Sequence, residues 1–228
     1  MPNSDPAQPK HTAVELIKKF QQLFTNLNHK QIAERLVKLV IAKHTIQRAA
    51  LLIARDNHIY VEAIANRTGT HTAINAIATS LNRINNLPSA FIHDVFESGQ
   101  ALALSRSAMS GLIGKTIPVD TRACFLHPIC ENQKTIAVFY MESQDDLASL
   151  QHAVQDLDTV WTFSSLLVRQ VIDMWHHEEQ AERFRVAEQA LWASETYLNA
   201  ILNYSPTLIS VKDLDGNIVL ASEHYNQM

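Results

Sequence analysis

The chain has 228 residues, of which 46% are hydrophobic and 18% charged, with a net charge of −4. This composition is typical of a globular protein with one large domain, or one medium domain with extensions. The absence of a Lys/Arg-rich block argues against a nucleic-acid-binding surface, and no apolar run approaches the roughly 20 residues that cross a bilayer. Because MPNSDPAQPK lacks a signal peptide's apolar segment, we expect a cytoplasmic protein without membrane insertion.

The N-terminal third begins with helical periodicity. Apolar residues recur at three- and four-residue steps from Val14 to Leu27, which predicts an amphipathic helix ending near Asn28-His29. Residues 1–29 are therefore interpreted as a disordered start followed by this helix. A second helix is expected from about Lys30 to Lys43, where apolar residues again recur at helical spacing.

The next hundred residues change to the period of two that is typical of strands. Residues 66–87 are polar and alternate only weakly, and residues 105–121 are expected to form a loop. The pattern predicts an α+β fold, an antiparallel sheet backed by helices. Its elements are a hairpin of Ala49–Ala54 and Ile59–Ala65, a helix over Ser89–Glu97 that ends at Gly99, a short strand at Ala101–Leu104, and a hairpin of Ala123–Ile129 and Thr135–Met141.

A long helix is predicted after the second hairpin. Neither Gly nor Pro occurs between Ile129 and Ser205, so the chain could remain helical from Asp145-Asp146 to about Leu202, roughly 55 residues or about 80 Å. Four polar residues (Gln170, His177, Glu188, Glu195) interrupt its coiled-coil seam. We expect a homodimer through this seam, whose apolar members are Phe163, Leu167, Met174, Ala181, Phe184, Leu191, Leu198 and Leu202.

The C-terminal residues predict a hairpin. Asp215-Gly216 separates two β-prone runs, Leu208–Val211 and Ile218–Leu220, and Gly accepts the positive φ that such a turn requires. A lone hairpin is marginally stable in water, so we expect the chain to end inside a second folding unit.

Several segments resemble known signalling modules. LVKLVIAKHTIQRAALLIARDNHIYVEAIA (36–65), FIHDVFESGQALAL (91–104) and ACFLHPICENQKTIAVFYMES (123–143) resemble a GAF domain, and 190–222 resembles the first helix and strands of a PAS domain. The resemblance implies a GAF-like sensory domain at 30–175, a helical coiled-coil linker at 176–204 and a truncated PAS-like start at 205–228. One departure is Leu104-Ser105-Arg106-Ser107-Ala108, where such GAF domains commonly carry acidic residues.

Four residues on one predicted strand are the candidates for ligand binding: His127, Phe125, Cys124 and Cys130. Period-two counting places Phe125 and His127 on one face and Cys124 on the other. A histidine that is merely hydrogen-bonded in the core is the alternative for His127. Six strand residues separate the two cysteines by about 20 Å, too far for a disulfide. No metal site is predicted, because the adjacent histidines at 176–177 point about 100° apart on a helix.

The resemblance thus implies the sensory input module of a bacterial signal-transduction protein of the histidine kinase or diguanylate cyclase kind. The resemblance implies a small ligand in the GAF cavity, but it does not specify that ligand or any cofactor. No catalytic residue is expected, because the output domain is absent from this chain. Two alternatives stay open: a thiol enzyme of the free methionine sulfoxide reductase type using the cysteines, and a dimerisation remnant without ligand.

Overall fold

A computed structural model describes Phe24 and residues 26–204, 207 and 209–222. The helix predicted over residues 14–27 and the disordered start fall almost entirely outside these residues. The chain divides into two compact units, residues 1–175 and 176–228, which are described separately below.

A six-stranded antiparallel sheet forms the centre of the first unit. Its spatial order is β3-β2-β1-β6-β5-β4. The two strands of each hairpin are therefore neighbours, and β1 also pairs with β6. This confirms the predicted α+β fold and both predicted hairpins. The strands are β1 (Arg48–Arg55), β2 (His58–Thr68), β3 (His71–Ser80), β4 (Leu102–Ser105), β5 (Ala123–Glu131) and β6 (Lys134–Ser143).

Among the residues that the structure describes, four α-helices accompany the sheet: α1 (His29–Ile41), α2 (Ser89–Ser98), α3 (Leu147–Gln155) and α4 (Asp158–Tyr204), of which α4 enters the second unit after Trp175. Their ends follow local sequence rules. Asn28 forms a capping box with Gln31 at the start of α1, and Asp146 accepts the N–H of Ser149 at the start of α3. Gly99 ends α2 with a φ of 66°, as predicted.

The sheet carries an apolar core on each face. The helix-side core lies between the sheet and α1, α3 and α4, and contains Ile53, Phe139 and Val168 among its buried members. The loop-side core lies between the opposite face, α2 and the segment 105–121, and contains Leu126, Tyr140 and Met109. Because β5 contributes to both cores, the two faces of this strand have different surroundings.

The structure differs from the sequence interpretation at residues 66–87, which contain the edge strand β3. Its side chains are exposed or half-buried throughout, so the weak alternation of Ala73, Ile74 and Ala76 reflects a strand with little core contact. Gly69, with a φ of 61°, begins the tight turn that joins β2 to β3.

The prediction of one unbroken helix from residue 145 onward is wrong at residues 156–157, where α3 ends and α4 begins. Tertiary contacts break the helix without Gly or Pro. Asp156 accepts a hydrogen bond from Lys43 at 2.8 Å, while the indole N–H of Trp161 donates to the carbonyl of Val154 at 2.9 Å. Leu157 is buried between them in the helix-side core. The remaining helix α4 still has 47 residues, a length of about 70 Å.

The second unit contains the part of α4 from His176 to Tyr204 and a two-stranded hairpin of β7 (Ser210–Lys212) and β8 (Ile218–Ala221). The predicted hairpin is confirmed. Its turn is held by the carboxylate of Asp213, which accepts the N–H groups of Asp215 and Asn217, and Gly216 has a φ of 88°.

Candidate functional site

The four predicted ligand-binding residues lie on β5 but do not form one group. Phe125 packs against the helix-side core and His127 faces the same side, whereas Cys124 is buried in the loop-side core. Cys130 lies near the end of β5, exposed, with its sulfur 3.7 Å from Thr135 Oγ1. Both thiols are free. The predicted alternation of faces along β5 is therefore observed, and it divides the candidates between two environments.

His127 joins β5 to α4. Its ring stacks on that of Trp161 with a centroid separation of 4.3 Å, and Phe139 of β6 approaches the same indole at 5.2 Å. Burial lowers the pKa of His127, against the opposing influence of the Asp158 carboxylate. The imidazole is thus favoured in its neutral form, which suits a ring packed flat against an aromatic neighbour.

A buried charge cluster occupies the opposite face of β5. It consists of Arg48, Thr121, Cys124, Tyr140 and Glu142. In the sheet register Glu142 lies directly between Arg48 of β1 and Cys124 of β5. Its carboxylate accepts hydrogen bonds from Arg48 Nη1 at 3.1 Å and from the Tyr140 hydroxyl at 2.7 Å, and Thr121 Oγ1 lies 3.5 Å from its second oxygen. Cys124 Sγ lies 3.4 Å from the Tyr140 hydroxyl. The cluster links three strands and the end of segment 105–121.

Burial is the largest influence on the pKa values of Glu142, Cys124 and Tyr140. It raises the pKa of Glu142, while Arg48 and the donated hydrogen bonds oppose this change. It also raises the pKa of the Cys124 thiol to about 12, so this cysteine is a protonated, weakly nucleophilic group at neutral pH. Arg48 donates a second hydrogen bond from Nη1 to the Asn86 carbonyl at 2.8 Å. Its Nε has no hydrogen-bond partner, which leaves one buried donor unsatisfied.

An open cavity of about 840 Å³ adjoins the chain segments that carry the cluster. Segments 120–122 and 142–145 contribute residues to both. Arg106 ties the cavity wall to the cluster, since its Nη1 donates to the carbonyl of Thr121 at 2.9 Å. Gln144 donates to the carboxylate of Asp120 on the same wall. Two guanidinium groups and two carboxylates make this cavity suitable for a small charged or zwitterionic molecule. Its lining residues are Arg106, Val119, Asp120, Arg122, Gln144 and Asp145.

The sequence interpretation missed the cluster and the cavity. The available signal was the position of two charged residues, Arg48 and Glu142, at the ends of otherwise apolar strand runs. A charge in such a run is rarely buried unless it is paired. The pairing itself depends on the register of β1 against β6, which the sequence alone does not specify.

A second buried carboxyl group lies on the other face of the sheet. Glu62 is the extra residue of a β-bulge in β2 and is only 1% exposed, and neither of its oxygens accepts a hydrogen bond. Burial raises its pKa to about 7, against the opposing charges of Arg55 and Lys30. The Arg55 guanidinium is 4.0 Å from Glu62 and lies over the rings of Tyr60 and Trp175. Arg55 therefore connects the Glu62 carboxyl to Trp175 of α4, the last residue of the first unit.

Neither a metal centre nor a membrane span is evident in the described part of the chain. Among the described residues, no three His, Cys, Asp or Glu side chains are grouped closely enough to hold a metal ion. Across the same residues, no helix combines the length and apolar character that a membrane crossing needs.

No family model matches the sequence, and no curated protein matches it. Several solved structures are similar to this chain. The GAF domain of an Acinetobacter phosphoenolpyruvate-protein phosphotransferase is similar with a TM-score of 0.51 and 12% identity, over 73% of this chain and 97% of that one. The GAF domain of a Bacillus halodurans two-component sensor histidine kinase has a TM-score of 0.40 at 13% identity, over 60% of this chain and 93% of its own.

A type II free methionine-R-sulfoxide reductase from Thermoplasma acidophilum has a TM-score of 0.45 at 9% identity, over 62% of this chain and 92% of its own. The near-complete coverage of the phosphotransferase domain, together with the six-stranded antiparallel sheet and its flanking helices, shows that this chain contains a domain of the GAF fold.

Proposed function

We propose that this chain is a sensory input module that binds a small ligand in its GAF domain and transmits the binding through α4. The observation that carries the proposal is that one helix belongs to both units. Leu167, Val168 and Val171 of α4 are buried in the helix-side core, and the same helix continues without a break to Tyr204. A movement of the domain core would therefore also move the part of α4 that leads to the second unit.

The ligand would bind at the cavity beside the buried charge cluster. Arg106 and Arg122 offer guanidinium groups to an anionic part of the ligand, and Asp120 and Asp145 offer carboxylates to a cationic part. Of the four residues predicted from the sequence, Cys124 belongs to this cluster. We assign it, with Cys130, to the ligand-sensing side of the strand.

His127 and Phe125 would then act as the relay to the helix. The stacked contact of His127 on Trp161 means that a shift of β5 displaces the first turns of α4. Because β5 pairs with β6 throughout its length, the relay would include Phe139, which contacts the same indole. This proposal places the predicted residues in two roles, sensing and transmission.

The second unit would receive the signal as a homodimer. Two α4 segments would associate, so that a ligand with unequal affinity for two helix arrangements biases one of them. The hairpin of β7 and β8 would begin a PAS-type domain, and a separate output domain would carry any catalytic activity. In this proposal the chain acts in the cytoplasm and has no enzymatic activity of its own.

Thermal unfolding in the presence of a panel of amino acids, nucleotides and tetrapyrroles tests the ligand proposal. A compound at one hundred times its Kd stabilises the domain by about 2.7 kcal/mol. Arg122→Ala should abolish that stabilisation, whereas Arg83→Ala, an exposed arginine outside the cavity, should preserve it. Stabilisation that is equal in both variants would reject the cavity as the binding site. A chain that dimerises without responding to any compound would instead support the dimerisation remnant.

The thiol-enzyme alternative is less well supported by the site. Cys124 is fully buried with a raised pKa, and six strand positions separate it from Cys130. Activity would therefore depend on Cys130 alone. Thiol-dependent turnover of free methionine sulfoxide that is lost in Cys130→Ser would establish the enzyme in place of the sensor.

A further inference from the structure

Part of the predicted dimer seam is already occupied within the protomer. Leu167 and Met174 pack in the helix-side core of the first unit, and Leu202 is only 6% exposed. These residues have little surface to offer a partner. The seam as predicted also contains Glu188 and Glu195, which would face their own copies across a symmetric dimer. Like charges in direct opposition destabilise such a contact.

Three apolar residues of the predicted seam are exposed on α4 and also belong to a second, overlapping stripe. Phe184, Leu191 and Leu198 recur at intervals of seven residues and are 71%, 62% and 51% exposed. Three residues after each of them come Ala187, Ser194 and Ile201, and Ile201 is 56% exposed. Alternating steps of three and four residues define the contact line of a left-handed coiled coil. The stripe therefore has the period needed to pack along a second helix.

We propose that α4 pairs in parallel with the α4 of a second copy through Phe184, Ala187, Leu191, Ser194, Leu198 and Ile201. This inference rests on the proposed homodimer and specifies its contact. The difference from the predicted seam is a change of register: Ala187, Ser194 and Ile201 replace Glu188, Glu195 and Leu202. The small Ala187 and Ser194 then alternate with the large Phe184, Leu191 and Leu198 along the contact, which ends at the large Ile201.

The charges of the helix fit the new register. Glu188 and Glu195 leave the contact line and become flanking positions, where charged residues commonly set partner choice in coiled coils. In a parallel pair the flanking position of Arg183 lies next to that of Glu188 in the second copy, which brings opposite charges together. Within its own protomer Arg183 pairs with Glu179, in an exposed ion pair of the kind that contributes little.

The same charges disfavour the antiparallel arrangement. In an antiparallel pair centred on Leu191, Glu188 of one copy would lie beside Glu195 of the other, and this like-charge contact would occur twice along the same flank. Parallel pairing replaces this repulsion with the Arg183–Glu188 attraction. A second copy of the chain in parallel orientation is thus the occupant that matches both the apolar stripe and its flanks.

Cysteine cross-linking distinguishes the two registers in the full-length chain. Starting from Cys130→Ser, which removes the exposed thiol and keeps the buried Cys124, single variants Ala187→Cys, Ser194→Cys, Glu188→Cys and Glu195→Cys are oxidised with copper phenanthroline. A disulfide needs Cα atoms within about 7 Å, which the contact line of a coiled coil satisfies and its flanks do not. Gln189→Cys, on the far side of the helix, is the matched control.

We expect disulfide-linked dimer in at least several-fold higher yield from Ala187→Cys and Ser194→Cys than from the other three variants. Higher yields from Glu188→Cys and Glu195→Cys would overturn the register while leaving the dimer in place. Equal yields from all five variants would overturn the helix contact altogether. Sedimentation of the unmodified chain separates these outcomes from failure of the proposed function, because a monomer would overturn the dimer itself.

Discussion

Replacing Glu62 by Gln should change how the stability of the first unit depends on pH. The substitution keeps the shape of the side chain and removes its ionisation. Glu62 is almost fully buried, neither of its oxygens accepts a hydrogen bond, and its nearest cation is the Arg55 guanidinium at 4.0 Å. The charged form of this carboxyl is therefore poorly compensated in the folded protein, which is why burial raises its pKa.

The size of the effect follows from the difference between the folded and unfolded states. The pKa rises from 4.5 to about 7 on folding. At about 1.4 kcal/mol per pH unit, this difference corresponds to about 3 kcal/mol. A raised pKa means that the folded state binds the proton more tightly. The contribution is thus fully present below pH 4.5, decreases as the pH rises toward 7, and is absent above that value.

Urea unfolding followed by far-UV circular dichroism between pH 4 and 8 measures this difference. The Gln amide imposes its own cost, but that cost does not vary with pH. We therefore expect the free energy of unfolding of Glu62→Gln, relative to the original chain, to rise by about 3 kcal/mol from pH 4.5 to 7 and then to level off. Glu97→Gln, which alters an exposed carboxyl, should follow the original chain. A constant difference between Glu62→Gln and the original chain across this range would refute the reasoning.

Three further predictions concern the two faces of β5. Arg48→Met should lower the free energy of unfolding by about 3–5 kcal/mol, because it leaves the buried Glu142 carboxylate without its cation. The double variant with Glu142→Leu should recover most of this loss. Additive effects of the two substitutions would contradict the pairing. Ellman's reagent should label the exposed Cys130 in the native protein, with the buried Cys124 reacting only after denaturation; two thiols labelled at equal rates would disagree with the raised pKa of Cys124. Because the pKa of His127 is lowered on folding, this residue contributes stability above pH 6.5 that is lost as the pH falls below that value. His127→Phe should remove this part of the stability loss. Acid unfolding that is the same in both proteins would argue against a buried imidazole.

The sequence was most informative where structure is decided by neighbouring residues. The helix start at Asp145-Asp146, the helix end at Gly99 and the turn at Asp215-Gly216 all depend on contacts within a few positions, and the sequence predicts all three. The two central hairpins were predicted for a similar reason, since each joins adjacent strands through a short turn. The alternation of Cys124 and His127 along β5 followed from strand geometry alone.

The features that escaped prediction depend on distant residues. The helix ends at Asp156 because Lys43, far away in the chain, pairs with it, and because Trp161 takes the Val154 carbonyl. Strand β3 lies at the sheet edge, so its sequence carries little burial signal. The charge cluster depends likewise on the register that places Glu142 beside Arg48. None of these contacts is encoded in a local pattern.

Dimerisation would also give the proposed sensor enough free energy to switch. To move a two-state equilibrium from 1:99 to 99:1, a ligand must bind the favoured state about 10⁴ times more tightly than the other, a difference of about 5.5 kcal/mol. A ligand that binds only one state, at about one hundred times its Kd, supplies about 2.7 kcal/mol for each site. One protomer therefore reaches about half of the requirement, whereas two protomers that move together reach all of it. Parallel packing of α4 along Leu191 and Leu198 would impose this concerted movement, because neither helix can change its arrangement without its copy. In the proposed sensor, the exposed apolar stripe would therefore couple the two copies, while the buried part of the same helix would couple each copy to its own domain core.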